Sequence, residues 1–163
     1  MTDGDFFTFS EYMKRECDVL TASMEDYLEM VYRLAHKEGF TRIHELAKSL
    51  NVQPPSATKM IQKLAELKFI QYEKYGIIIL TEEGKNMGQY LLKRHNIVES
   101  FLKVIGISED VLEQTEKVEH TINNQTIMYL KDFIDFVHVR PDVIEDFAAF
   151  RNARTVLNPS NTL

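Results

Sequence analysis

Apolar residues recur at helical spacing along most of this chain, and the recurrence breaks at a few glycines and prolines. From Ser23 onward, Tyr27, Val31 and Leu34 fall three or four apart with Leu28 and Tyr32 beside them. That spacing predicts an amphipathic helix, capped by Ser23 with Asp26 in capping-box position and stopped at Gly39. Ile43, Leu46, Ala47 and Leu50 predict a short second helix capped by Thr41. A turn at Asn51-Val52 leads to a third helix starting at Pro54 or Pro55, where a missing N–H costs nothing. Ala57, Ile61 and Leu64, helped by Met60, form its inner face. The stretch FIQYEKYGIIILT then gives two β-rich runs around a turn at Lys74–Gly76, which is a hairpin pattern.

Thr81-Glu82-Glu83 caps a long helix reaching about Ile105, and Gly106 ends it. Ser108 is expected to cap the next helix, Asn124 to open another through Val137, and Pro141 to start a last short one to about Asn152. The helix from Asn124 carries two apolar stripes. Ile127, Leu130, Ile134 and Val137 make one; Tyr129, Phe133 and Phe136 make the other. A monomer core needs a single such face. The surplus therefore predicts a two-fold dimer, with Ile127, Leu130, Ile134 and Val137 assigned to its contact. Residues before Ser23 contain Phe6, Phe7, Phe9 and Tyr12 with little periodicity. The layout is an extension (1–22), a winged helix-turn-helix domain (23–81), a helical dimerisation domain (82–153) and a tail (154–163). The fold class is mainly α: a winged helix-turn-helix domain with a two-stranded wing, then a helical dimerisation domain.

The helix-turn-helix reading points to double-stranded DNA, bound as a near-palindromic operator by a homodimer. The third helix leaves Pro55, Ser56, Thr58, Lys59, Gln62 and Lys63 outside its apolar face, and Lys74 sits in the wing. All but Pro55, which has no N–H, offer donors that phosphates and base edges accept. A bland helical hairpin would also give the apolar pattern, but it has no need of those outward residues.

Net charge is −6, which by itself argues against nucleic acid. Its distribution reverses that argument. Thr41 to Tyr75 holds six Lys/Arg against three Glu, whereas Ile105 to Leu163 holds ten acids against five bases. A single basic face on an acidic protein is compatible with DNA on one side. No apolar run approaches the ~18 residues of a membrane helix, and the acidic start is unlike a secretory signal. The single cysteine, Cys17, permits no internal disulfide. A cytoplasmic protein without membrane partners is expected.

Three helices carry acids and histidines at one-face spacing. Asp26 and Glu29 are three apart on the first. Glu116, Glu119 and His120 are i, i+3 and i+4 on the helix after Gly106, and His95 stands on the long helix. Residues three and four apart share a helix face, so each set can converge on a point. Four carboxylates and two imidazoles suit Mn²⁺ or Fe²⁺. Spacing alone leaves two rivals open. One is a regulator without metal, its acids merely solvated; the other is a dinuclear hydrolase. His36, His44 and His138 have no partner at ligand spacing and read as surface residues. No Ser/His/Asp nucleophile arrangement is visible, and the adjacent winged helix argues against the hydrolase, so an enzyme is not expected.

The segments SMEDYLEMVYRL, PPSATKMIQKLAELKFIQYEKYGIIILTEEGK, KRHNIVESFLKVIG and EKVEH occur in an order and spacing that resembles the diphtheria-toxin-repressor family, in its manganese-responsive branch. The resemblance covers about Ser23 to Val137. It implies a metal-activated repressor of manganese-uptake genes, with ligands at Asp26, Glu29, His95, Glu116, Glu119 and His120. It also implies Mn²⁺ as cofactor, two ions per subunit, with Fe²⁺ as the alternative. Iron-responsive members tend to have Met at the position of Asp26 and Cys at that of Glu116, so carboxylates at both favour manganese. Two departures stand out. The chain extends further before Ser23 than relatives do, and Thr121 follows His120 where relatives often have a second histidine.

Overall fold

Thr21, rather than Ser23, starts the first helix of the protein, whose computed structural model describes residues 19–157. Its hydroxyl accepts a hydrogen bond from the Met24 N–H at 3.3 Å, and α1 runs Ala22–Ala35. Tyr27, Leu28, Val31 and Ala35 turn inward from it. Gly39, at φ +80, takes the left-handed turn out of the helix. The expected extension and Cys17 fall almost wholly outside the described residues.

A strand absent from the sequence reading follows. β1 (Phe40–Arg42) leads straight into α2 (Ile43–Ser49). Thr41 therefore does not cap α2, because its backbone pairs with Ile78 in the sheet. Arg42 is the cap. The Glu45 carboxylate accepts from the Arg42 N–H at 3.1 Å and from the Thr41 hydroxyl at 3.0 Å. Asn51, at φ 52, makes the turn to α3 (Pro54–Glu66), with both prolines in the first turn.

β2 (Ile70–Tyr72) and β3 (Ile77–Leu80) form the wing, joined through a tight turn at Lys74–Gly76. β3 lies centrally in an antiparallel sheet of order β1-β3-β2, with Thr41 opposite Ile78 and Gln71 opposite Ile79. The wing is thus backed by a third strand. A Cβ on Gly76 would sit 2.7 Å from Cγ2 of Ile43, so the turn closes tightly against the start of α2.

Thr81 ties the wing to α4 (Glu82–Val104). Its hydroxyl accepts from the Gly84 N–H at 3.0 Å and donates to the Lys68 carbonyl at 2.7 Å. The described residues divide into two units between Lys93 and Arg94, inside α4. The first turns of α4 belong with the first unit because Met87, Tyr90 and Leu91 join its core. That core also holds Leu28, Val31, Leu46, Ile61, Leu64 and Ile78.

The second unit is built on the rest of α4. Asp110, in left-handed conformation, precedes α5 (Val111–Glu119), so the cap lies two residues beyond the expected Ser108. α6 (Asn124–Val139) is capped by Asn123, whose side-chain oxygen accepts from the Thr126 N–H at 2.9 Å. α7 (Pro141–Leu157) is longer than expected. The Arg151 guanidinium donates to the Ile105 carbonyl and fixes α7 to the end of α4. Ile97, Val98 and Leu102 pack with Ile127 and Ile134 in the second core.

Candidate metal centre and nucleic-acid interface

Within the second unit, α4 and α5 bring three ligand-type side chains together. His95 projects from α4, Glu119 is the last residue of α5, and His120 caps that helix. His95 Nδ1 lies 3.0 Å from Glu119 Oε2, and His120 Nε2 lies 3.8 Å from Oε1 of the same carboxylate. Glu119 is 2% exposed and His95 5%. Despite the short contact to His95, Oε2 of Glu119 accepts no well-formed hydrogen bond from any described residue. A buried carboxylate in that condition is costly unless a cation compensates it. With two imidazoles beside it, the donor set fits a divalent transition ion. Glu116, one turn earlier on α5, is exposed.

The first unit carries Asp26 and Glu29 on α1. Asp26 is exposed. Glu29 is 8% exposed and accepts a hydrogen bond from Arg33 one turn on. Two neighbours escaped the sequence reading. Glu25 is as buried as Glu29 and lies four residues before it on the same face. Arg94, directly before His95, is buried and contacts His120 at 3.3 Å. The i, i+4 spacing could have found Glu25. Nothing in the periodicity singles out Arg94.

α3 turns Ala57, Ile61 and Leu64 into the core and leaves Pro55, Ser56, Lys59, Gln62 and Lys63 exposed. Thr58 is half-buried, and its hydroxyl donates to the Pro54 carbonyl at 2.9 Å, so its proton is already used. Lys74 is exposed in the wing turn. Tyr75 beside it, at φ 62, is 87% exposed. It was not among the expected contacts, although a large aromatic at a wing tip is a plain signal for one.

The assignment of Ile127, Leu130, Ile134 and Val137 to a dimer contact is corrected. Ile127, Ile134 and Val137 are buried in the chain's own fold, and Leu130 packs against the second core. The stripe left on the surface is the other one: Tyr129, Phe133, Phe136 and, further along, Val139. The sequence carried both stripes, but only the packing of α6 against α4 decides which faces inward.

A winged helix whose third helix exposes Lys59 and Lys63, followed by a helical unit in which a buried Glu119 lies beside His95 and His120, fits a DNA-binding regulator with a cation centre. The chain belongs to the iron-dependent repressor family. Residues 19–78 match that family's N-terminal DNA-binding domain, and residues 81–148 match its metal binding and dimerisation domain. It is 38% identical over 139 residues to the HTH-type transcriptional regulator MntR of Listeria welshimeri, covering 85% of this chain and 98% of the relative. With MntR of Bacillus pumilus it shares 40% identity over 117 residues, or 71% of this chain and 81% of the relative. Among solved structures it resembles the metal-dependent transcriptional regulator MtsR, at a TM-score of 0.64 and 27% identity over 72% of this chain and 55% of that one. The manganese regulator SloR gives 0.62 and 25%, over 69% and 54%. The chain spans about half the length of these two structures. It is a metal-dependent transcriptional repressor in class. Among the described residues no helix is long and apolar enough to cross a membrane.

Proposed function

We propose that this chain is a Mn²⁺-activated repressor of manganese-uptake genes, binding a near-palindromic operator as a homodimer. The observation that carries the proposal is the buried Glu119 carboxylate flanked by His95 and His120, in a chain whose α3 presents Lys59 and Lys63 outward. The proposed ligand set is the one the family resemblance implies: Asp26, Glu29, His95, Glu116, Glu119 and His120, for two ions per subunit. The mostly oxygen donor set and the resemblance to regulators named MntR support manganese over iron.

When bound, divalent cations supply positive charge that offsets these carboxylates. Each residue then has its own task. Asp26 and Glu29 lie on α1, whose inner face packs in the same core as α3. His95, Glu116, Glu119 and His120 lie on α4 and α5. Ligands drawn from both units restrict the orientations open to the two reading helices of a dimer. The operator-competent state is favoured by population shift, with less ordering left to be lost on DNA. In each half-site α3 enters the major groove. Lys59 and Lys63 meet phosphates or bases, Ser56, Thr58 and Gln62 lie near base edges, and Lys74 of the wing touches the backbone.

The test is a paired one. Metal content is measured by elemental analysis, and operator affinity with Mn²⁺, with Fe²⁺ under anaerobic conditions, and with neither. Tight binding that needs Mn²⁺ is expected. Equal affinity after removal of metal would leave a winged-helix regulator that does not sense metal.

A further inference from the structure

Arg94 is 5% exposed, and its Nη2 atom lies 3.3 Å from Nδ1 of His120. A guanidinium has only donors and keeps its charge in any folded protein. Arg94 therefore donates in this contact, and Nδ1 accepts. A neutral imidazole has one N–H and one lone pair. A His120 that accepts at Nδ1 must carry its proton on Nε2, the nitrogen 3.8 Å from Oε1 of Glu119. In this arrangement neither ring nitrogen has a lone pair to offer a cation. Arg94 also brings a fixed positive charge against His120, the ring that neighbours the buried Glu119 carboxylate. The guanidinium thus does in part what a bound cation would do: it sets positive charge near a buried carboxylate.

We propose that Arg94 is a built-in cationic competitor at the metal centre: its guanidinium holds His120 in the form that cannot ligate, and it must leave His120 before His120 can join the ligands. The proposal rests on the assignment of His120 as a ligand. Its consequence is a raised threshold. The cluster tolerates an absent metal because Arg94 offsets Glu119, and the ion has to overcome that charge to enter. Arg94 is a positioning residue whose removal tightens binding, the reverse of what losing a structural residue does.

The test measures Mn²⁺ binding to the full chain from the electron paramagnetic resonance signal of free Mn²⁺. It compares wild type with Arg94→Met, Arg94→Gln and Arg94→Lys, and follows thermal unfolding of each protein stripped of metal. Arg94→Met is expected to bind Mn²⁺ roughly tenfold more tightly, since a buried like charge is gone. Arg94→Gln keeps a donor without the charge and should fall between Arg94→Met and wild type. Arg94→Lys keeps the charge and should stay close to wild type. Metal-stripped Arg94→Met and Arg94→Gln should melt below wild type, because Glu119 loses its compensation. A purely structural arginine would lower melting temperature and Mn²⁺ affinity together. Unchanged or weaker affinity in folded Arg94→Gln overturns the proposal, and this variant together with Arg94→Lys decides the matter if Arg94→Met does not fold. A wild type that takes up no Mn²⁺ instead overturns the metal-centre reading itself.

Discussion

Nδ1 of His95 and Oε2 of Glu119 stand 3.0 Å apart, with both side chains almost wholly removed from solvent. Such a pair is weak support for a fold, because desolvation offsets most of the attraction. It makes more sense as a centre kept ready for a cation. Glu119→Gln separates the two. The amide keeps the shape and removes the buried charge. The metal-stripped variant should melt below wild type, because the buried Arg94 loses the charge that offsets it. Mn²⁺ should stabilise wild type by about 2.7 kcal/mol at a hundred times its dissociation constant and leave the variant unmoved. Thermal unfolding with and without Mn²⁺ checks both. A variant that Mn²⁺ stabilises as much as wild type would show that Glu119 is not a ligand.

The sequence was most legible where one face of an element is buried. The inner face of α3 and the hairpin runs followed directly from spacing, since burial enforces periodicity. β1 was not legible: three residues are too few to show alternation, and Phe40–Arg42 is a strand only because β3 lies beside it. The caps of α1 and α2 shifted by one or two residues, as Thr21 and Arg42 compete with equally plausible neighbours. In the candidate site, His95, Glu119 and His120 were readable as residue types at spacing, whereas their convergence is tertiary. Arg94 was invisible because an arginine beside a histidine on a helix is ordinarily solvated. α6 showed two apolar stripes without showing which one the chain uses itself.

The join between wing and α4 depends on Gly84. A Cβ there would meet the Phe69 carbonyl oxygen at 1.8 Å, a backbone atom that cannot swing aside. Gly84→Ala should cost roughly 2–4 kcal/mol, in the range of severe overpacking. Thr81→Ala removes the cap acceptor for the Gly84 N–H and should cost about 1 kcal/mol. Urea unfolding of both measures the pair. A Gly84→Ala protein as stable as wild type would show that β2 and α4 are less closely joined than described.

The corrected stripe on α6 makes a prediction that the original assignment would reverse. Phe133→Glu with Phe136→Glu places charge on the exposed face and should convert a dimer to monomer with little loss of monomer stability. Ile127→Ala opens a hole in the second core instead, and should cost ~2–5 kcal/mol before it affects association. Sedimentation velocity at micromolar concentration, beside thermal unfolding, tells the two apart. Dimers that survive the double substitution would move the contact elsewhere.

Contact with DNA by α3 should be visible in salt dependence. If Lys63 meets a phosphate, Lys63→Ala weakens binding to all sequences alike and lowers the slope of log affinity against log salt by about 1. If it meets a base, the slope holds and preference at one operator position relaxes, by ~1–3 kcal/mol. Fluorescence anisotropy on operator and scrambled duplexes at several salt concentrations distinguishes the cases. Substituting Ser56, Thr58, Lys59, Gln62 and Lys63 together without loss of operator affinity would mean that another face reads the DNA.

Metal selectivity is the sharpest test of the proposed ligand set, and it turns on Asp26 and Glu116. Intrinsic affinity for first-row divalent ions rises from Mn²⁺ toward Cu²⁺, with Zn²⁺ also above Mn²⁺. A manganese sensor therefore cannot depend on binding manganese most tightly, but it can depend on coordination number. Zn²⁺ is content with four ligands, and His95 with three acids or waters would satisfy it. Asp26 and Glu29, on α1, would then be left unengaged. Mn²⁺ favours more oxygen ligands, so filling its shell draws in both units' carboxylates. Saturating Zn²⁺ is expected to occupy the protein yet support operator binding poorly, while Mn²⁺ binds more weakly and supports it fully. Asp26→Met with Glu116→Cys offers softer donors and should relax the discrimination toward iron, cobalt or zinc. Operator affinity at saturating concentrations of each ion, in wild type and the double variant, is the measurement. If Zn²⁺ drives the wild type onto its operator as strongly as Mn²⁺ does, selectivity does not arise from coordination number here, even though the protein is still a metal-dependent repressor.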